Sequence, residues 1–306
     1  SNATCGKRFA SLGIPDTEEE RRRWREILLC APGAQDFVSG VILFDETIRQ
    51  SDSNGKKFTD VLKEKNILVG IKVDEGLQDF IDHTGETLTH GLNGLPARMQ
   101  EYKYLGATFA KWRAAFNISD RTPSDDAIRE NGEILARYAV ICQEHDIVPM
   151  VEPEVLLDGN HSIDEAKEVT KKVLKGLFEA IEKHHVHLEG LILKTSMVLS
   201  GKDAENRADA KAVGDATVEV LKECVPVNVG GVVFLSGGQT PDEATANFNA
   251  IAQHEPLPWP LAFSFSRALQ NDALLAWGGK ISNIELARES FMKRLKSDSQ
   301  ADQGLL

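Results

Sequence analysis

Short apolar runs recur along the chain at residues 41–44, 69–73, 109–113, 148–154, 190–194, 231–235 and 261–265. Runs of this length, rich in Val, Ile, Leu and Phe, predict buried strands. Between them, apolar residues return at three- and four-residue intervals over 94–105, 124–145, 162–185, 209–224 and 241–253, which predicts helices with one buried face. A helix is also expected from Thr17 to Cys30, with Thr17 as N-cap and Glu20 closing a capping box, and another over about 283–295. Residues 74–93 read as a polar loop, the tail from Ser297 as polar and frayed, and the charge run from Glu18 to Arg25 as a solvated helix face.

The alternation of strand and helix, with a repeat of some thirty to forty residues, favours parallel α/β architecture. No Gly-x-Gly-x-x-Gly follows an early strand, so a dinucleotide-binding sheet has no support. A (β/α)8 TIM barrel of about 250 residues with insertions fits the length of 306, but only seven strands are readable. The first barrel strand is expected before Ser1.

The strand ends carry the candidate chemistry. Side chains two apart on a strand share a face, so Lys72 goes with Asp74, Lys111 with Arg113, and Glu152 with Glu154. The run Gly190-Leu-Ile-Leu-Lys194 then ends in a lysine. An amine held against apolar walls, with a second lysine nearby, loses its proton more readily and can attack a carbonyl to form a Schiff base. Taken alone, Lys194 is more readily read as a strand-end lysine reaching to water. Four successive strands ending in ionisable groups at the rim where barrel sites lie favour function over a structural ion network.

The last two strands are followed by Ser236-Gly237-Gly238-Gln239 and by Ser264-Phe265-Ser266-Arg267, each just before a helix. Free N–H groups at helix starts bind phosphate, and Arg267 adds a bidentate cation. A plain turn is the other reading of Ser-Gly-Gly. His184, His185 and His187 are clustered as metal ligands often are, but their place after a long helix fits a surface turn, and no metal is assigned. Trp112 is expected to face the helices.

Composition narrows the partners. The net charge of −12 argues against nucleic acid, and no apolar run approaches membrane-spanning length. A soluble, intracellular protein is expected. Cys5, Cys30, Cys142 and Cys224 are widely spaced and read as reduced thiols.

Eight segments together carry a family resemblance. They are Ser1-Asn-Ala-Thr-Cys-Gly-Lys-Arg8, Gly40-Val-Ile-Leu-Phe44, Gly70-Ile-Lys-Val-Asp74, Phe109-Ala-Lys-Trp-Arg113, Val151-Glu-Pro-Glu154, Leu191-Ile-Leu-Lys194, Phe234-Leu-Ser-Gly-Gly-Gln239 and Trp277-Gly-Gly-Lys280. In order and spacing the chain resembles class I fructose-1,6-bisphosphate aldolase, the Schiff-base, metal-independent family of plant, plastid and bacterial type. The resemblance implies a single barrel domain over residues 1–306, apparently truncated at both ends. It also implies an aldehyde-lyase that splits fructose 1,6-bisphosphate into dihydroxyacetone phosphate and glyceraldehyde 3-phosphate, in glycolysis, gluconeogenesis or the Calvin cycle.

By that resemblance Lys194 is the Schiff-base lysine and Glu152 the principal proton-transfer residue, with Lys111 and Glu154 in support. Arg8, Lys72, Arg113, Ser236, Gly237 and Arg267 fall at substrate and phosphate positions, and Asp74, Gly238 and Ser264 complete the expected binding set. No cofactor is implied; the partner is a sugar phosphate, and the assembly a homo-oligomer, a tetramer by family. The compartment expected is the cytoplasm, with the plastid stroma as alternative.

The chain departs from the family at Thr195, where proline is usual, and at Ser266, where glycine or alanine is usual. The family aspartate that takes part in carbon–carbon cleavage is expected before Ser1, and the terminal tyrosine beyond Leu306. Two rival readings remain: an impaired fragment that still binds sugar phosphates or a partner, and a metal-dependent lyase using the histidine cluster.

Overall fold

Seven parallel strands form one sheet in the computed structural model, which describes residues 1–306. They are β1 (Gly40–Leu43), β2 (Leu68–Lys72), β5 (Phe109–Phe116), β6 (Val148–Val155), β7 (Ile192–Thr195), β8 (Gly231–Phe234) and β9 (Leu261–Phe263), paired in that order, so β1 and β9 are its edges. Intervening helices cover the outer face: α5 (Leu95–Tyr104), α6 (Asp125–Glu144), α7 (Ile163–Lys183), α8 (Ala210–Cys224), α9 (Pro241–Ala252) and α10 (Arg267–Trp277). This is the α/β arrangement that the alternation predicts.

Alternation along each strand divides the two faces. Ala110, Trp112, Ala114, Val151, Leu193 and Val232 are fully or almost fully buried under the helices, and the Trp112 ring lies 5.3 Å from that of Tyr138 on α6. The odd residues of β5 and the even residues of β6 and β7 face the concave side. Parallel register aligns them: Lys72 lies beside Lys111, and Arg113 beside Glu152. Val151 pairs with Leu193, so one further step places Glu152 beside Lys194. A continuous apolar core links Phe9 and Trp24, near one end of the chain, to Leu295 and Ala301, near the other.

Several local expectations are corrected. Residues 74–93 contain an antiparallel hairpin, β3 (Gly76–Asp79) and β4 (Thr87–His90). It folds back on the sheet: Thr89 Oγ1 donates to the Arg113 carbonyl at 2.7 Å, and the buried Glu86 accepts from the amide and hydroxyl of Ser124 at 2.7 and 2.6 Å. Thr17 caps α2 (Glu18–Leu29), but the Glu20 carboxylate contacts Arg23 at 2.6 Å instead of closing the box.

The arginines of α2 are not a solvated face. Arg21 and Arg25 have side chains only 12% exposed and both grip Glu46, with Arg25 also donating to Asn2. The last helix, α11 (Ile284–Asp302), runs well past the expected end. Its polar-looking extension buries Asp298 and Ala301, and Leu306 exchanges two hydrogen bonds with Asn249 of α9, at 2.9 and 3.0 Å. The tail is docked.

Candidate active site

β5, β6 and β7 deliver Lys111, Glu152 and Lys194 to one place. The Glu152 carboxylate lies 2.8 Å from Lys111 Nζ through one oxygen and 3.1 Å from Lys194 Nζ through the other. All three residues are buried, at 8%, 4% and 7% exposure. Such contacts across three strands require a curled sheet whose concave face holds the charges. Asp74, just beyond β2, extends the chain of contacts: it lies 3.6 Å from Lys111 Nζ and accepts from Lys72 Nζ at 2.7 Å. Arg113 pairs with Glu154 at the next level.

The electrostatics separate the two lysines. Burial works against the charged form of each. At Lys111 the carboxylates of Glu152 and Asp74 outweigh burial, and its pKa rises. At Lys194 burial prevails; Glu152 opposes it, the Lys111 ammonium adds to it, and the pKa falls below the ordinary lysine range. Burial likewise works against the Glu152 carboxylate, but Lys111 and then Lys194 overcome it and hold the carboxyl at about 2. The arrangement therefore contains an amine that releases its proton more readily than an ordinary lysine, a second lysine held as its ammonium in the resting site, and a carboxylate touching both. That combination suits imine chemistry.

A second group lies at the ends of β8 and β9. Lys194 is in register with Val233, three residues before Ser236. Gly237 and Gly238 have φ of +55° and +92°, a left-handed turn that glycine adopts without strain. The amides of Ser236, Gly237 and Gly238 donate to no backbone carbonyl. Arg267 begins α10, and a Cβ added to Gly238 would lie 3.6 Å from its Nη2, so this guanidinium flanks the turn. Arg8, on α1 (Asn2–Ala10), approaches α10 and donates to Gln270 Oε1 at 3.0 Å. The Ser264 amide is already committed to the Phe234 carbonyl at 2.8 Å, which leaves its hydroxyl for any ligand. Free amides beside guanidinium groups form a cradle for an anion.

The structure thus places Lys72, Asp74, Lys111, Glu152 and Lys194 in one contact chain, Arg113 with Glu154 beside it, and Ser236, Gly237, Gly238 and Arg267 around one turn. Gln270 carries no sequence signal, because its tie to Arg8 spans 262 residues. The histidines lie apart: His184 contacts Glu133 at 2.7 Å and His187 contacts Glu189 at 3.2 Å, both between helices or in a turn. No group of three or more His, Cys, Asp or Glu side chains is arranged to hold a metal ion.

Comparisons with known proteins show the family. A family-wide sequence model described as "Fructose-bisphosphate aldolase class-I" matches residues 1–306. The chain is 48% identical over 305 residues to the cytosolic fructose-bisphosphate aldolase 4 of Arabidopsis thaliana, covering 99% of this chain and 78% of that one. It is 50% identical over 305 residues to a probable class 1 fructose-bisphosphate aldolase of Xylella fastidiosa, covering 99% and 91%. A solved fructose-bisphosphate aldolase from Plasmodium falciparum, in complex with TRAP and a small-molecule inhibitor, superposes with a TM-score of 0.98 at 43% identity, covering 99% of this chain and 88% of the other. With a lysine–carboxylate centre on the concave face of a parallel sheet and near-half identity along its length, this chain belongs to the class I fructose-bisphosphate aldolases.

Proposed function

We propose that Lys194 forms the Schiff base through which this aldolase cleaves fructose 1,6-bisphosphate. The neutral Lys194 amine adds to the C2 carbonyl carbon, giving a carbinolamine. Glu152, charged and in contact with both lysines, carries a proton from Lys111 to the carbinolamine hydroxyl, which leaves as water. The C3–C4 bond of the resulting iminium then breaks as the C4 hydroxyl gives its proton to the Glu152 carboxylate, which passes it to Lys111 and restores the ammonium. The bonding pair enters the iminium to form an enamine, and glyceraldehyde 3-phosphate departs. Protonation at C3 and hydrolysis release dihydroxyacetone phosphate and restore Lys194.

In this reading Glu154 holds Arg113, and Arg113, Lys72 and Asp74 contact substrate on one side. Ser236, Gly237, Gly238, Ser264, Arg267 and Arg8 receive a phosphate on the other. The observation that carries the assignment is the sharing of Glu152 by two lysines, of which only Lys111 has a second carboxylate in salt-bridge contact. Reduction with borohydride in the presence of dihydroxyacetone phosphate tests it: a stable adduct should map to Lys194, and an adduct mapping to Lys111 would reverse the roles.

The whole chain is proposed to act as one catalytic domain and to assemble as a homotetramer, as the family resemblance implies; sedimentation equilibrium checks the mass. A cytosolic setting is favoured over the plastid by the cytosolic relative from Arabidopsis thaliana. No helix is long and apolar enough to cross a membrane.

A further inference from the structure

Arg8 is a half-buried guanidinium held by a neutral partner. Its Nη1 donates to Gln270 Oε1 at 3.0 Å, while its Nη2, although shut off from solvent, has no acceptor. Arg21, Arg22, Arg25 and Arg113, by contrast, each touch a carboxylate. Burial lowers the pKa of Arg8, the nearby Cys5 opposes the fall, and Arg267 adds to it. A cation in such a place is costly unless something completes its charge and hydrogen bonding.

An amide at position 270 does only part of that task. Guanidinium has no acceptor, so the amide oxygen of Gln270 must face Arg8. This fixes the plane of the guanidinium without cancelling its charge. Gln270 lies one turn after Arg267 on α10, and its backbone N–H donates to the Ser266 carbonyl at 3.0 Å. One helical turn therefore carries a second arginine and the residue that orients the first.

Resting on the reading of Arg8 and Arg267 as phosphate ligands, we infer that Gln270 is a positioning residue for the known reaction. It locks the Arg8 guanidinium so that Nη2 meets the substrate phosphate, and leaves the positive charge uncompensated until that phosphate arrives. A carboxylate at 270 would orient Arg8 equally well but compete with the ligand for its charge. Charge, not size, is the property selected there. Gln270→Glu should therefore be more damaging than Gln270→Met, although glutamate is closer in shape to glutamine.

The test measures the concentration of dihydroxyacetone phosphate that gives half-maximal borohydride trapping, with unphosphorylated dihydroxyacetone as reference. Gln270→Glu is expected to raise the value for the phosphate by about tenfold, and Gln270→Met by about threefold, with maximal trapping unchanged and the reference unaffected. Adding Gln270→Met to Arg8→Ala should cost nothing further, because the glutamine acts through the arginine. An equal loss for the unphosphorylated ketone, or a glutamate variant no worse than the methionine one, overturns the inference and makes Gln270 a packing residue. Should Arg8→Ala itself leave the preference for the phosphate unchanged, the reading of Arg8 as a phosphate ligand has failed, and the role of Gln270 falls with it.

Discussion

Lys111 and Lys194 approach opposite oxygens of one carboxylate, at 2.8 and 3.1 Å, yet their ammonium groups are shifted in opposite directions. The difference lies in Asp74, 3.6 Å from Lys111 Nζ and in salt-bridge contact with Lys111 and Lys72, with none to Lys194. On this difference rests the proposed assignment of an acid's role to Lys111 and a nucleophile's role to Lys194.

Lys111→Met tests this division through pH. Removing the Lys111 ammonium ends its repulsion of Lys194 and leaves Glu152 to serve Lys194 alone, so both changes raise the Lys194 pKa. The rate of imine trapping depends on the neutral amine. Its rising limb should move to higher pH in Lys111→Met, by about one unit or more. A limb that stays in place or moves to lower pH would show that Lys111 does not control Lys194.

Lys194→Met keeps most of the stem's packing and removes the amine. Trapping by borohydride should disappear, and cleavage of fructose 1,6-bisphosphate should fall by at least about a thousandfold, while the far-ultraviolet circular dichroism is unchanged. Residual covalent labelling in this variant would mean that another lysine forms the imine.

Much of this site was legible because buried parallel strands announce themselves as apolar runs, and charged residues within or at the end of such runs are then conspicuous. Lys72, Lys111, Glu152 and Lys194 all stand out in that way. Their division of labour does not, since it depends on which lysine Asp74 can reach. The β3–β4 hairpin was hidden because Leu77 is exposed and its strands are held largely by Thr89 and Glu86, polar residues whose partners lie elsewhere in the chain. The Glu18–Arg25 run looked solvated because Glu46, its half-buried anchor, comes from a different element. The tail after Ser297 looked frayed because its buried contacts are those of an aspartate and an alanine, too weak a periodic signal to register.

Beneath the two lysines of the β2–β5 pair lies a floor built from one ring. Gly70 is in register with Phe109, one pleat below Lys72 and Lys111, and a Cβ added at Gly70 would come within 2.3 Å of the Phe109 ring. Gly70→Ala should displace the ring, lower stability by about 1–3 kcal/mol in urea unfolding and reduce turnover by disturbing Lys72. Combining it with Phe109→Leu should recover part of the stability. A lack of any recovery would show that the cost comes from the backbone and not from the ring.

Asp298 offers a stability prediction whose sign is set by a hydrogen count. It is fully buried on α11, and its Oδ1 lies 2.6 Å from Thr245 Oγ1 on α9, while Thr245 Oγ1 also lies 2.9 Å from the Pro241 carbonyl. The threonine hydroxyl has one hydrogen. If it donates to Pro241, a protonated Asp298 must donate to Thr245, which also relieves the burial of a carboxylate whose Oδ2 has no partner. Burial raises the Asp298 pKa to about 6 from 3.8, although Thr245 and Arg294 pull the other way. A carboxyl raised in this manner contributes stability that is fully present below the unfolded value and is lost as pH climbs through about 6. Asp298→Asn keeps the shape and an N–H donor for Thr245 but never ionises. It should match the wild type near pH 4 and exceed it at pH 8, by on the order of 2 kcal/mol. Urea unfolding of both proteins at the two pH values decides the matter: an asparagine variant weaker at pH 8 would mean that Asp298 is held as a carboxylate, and that the Thr245 hydrogen points to it instead of to Pro241.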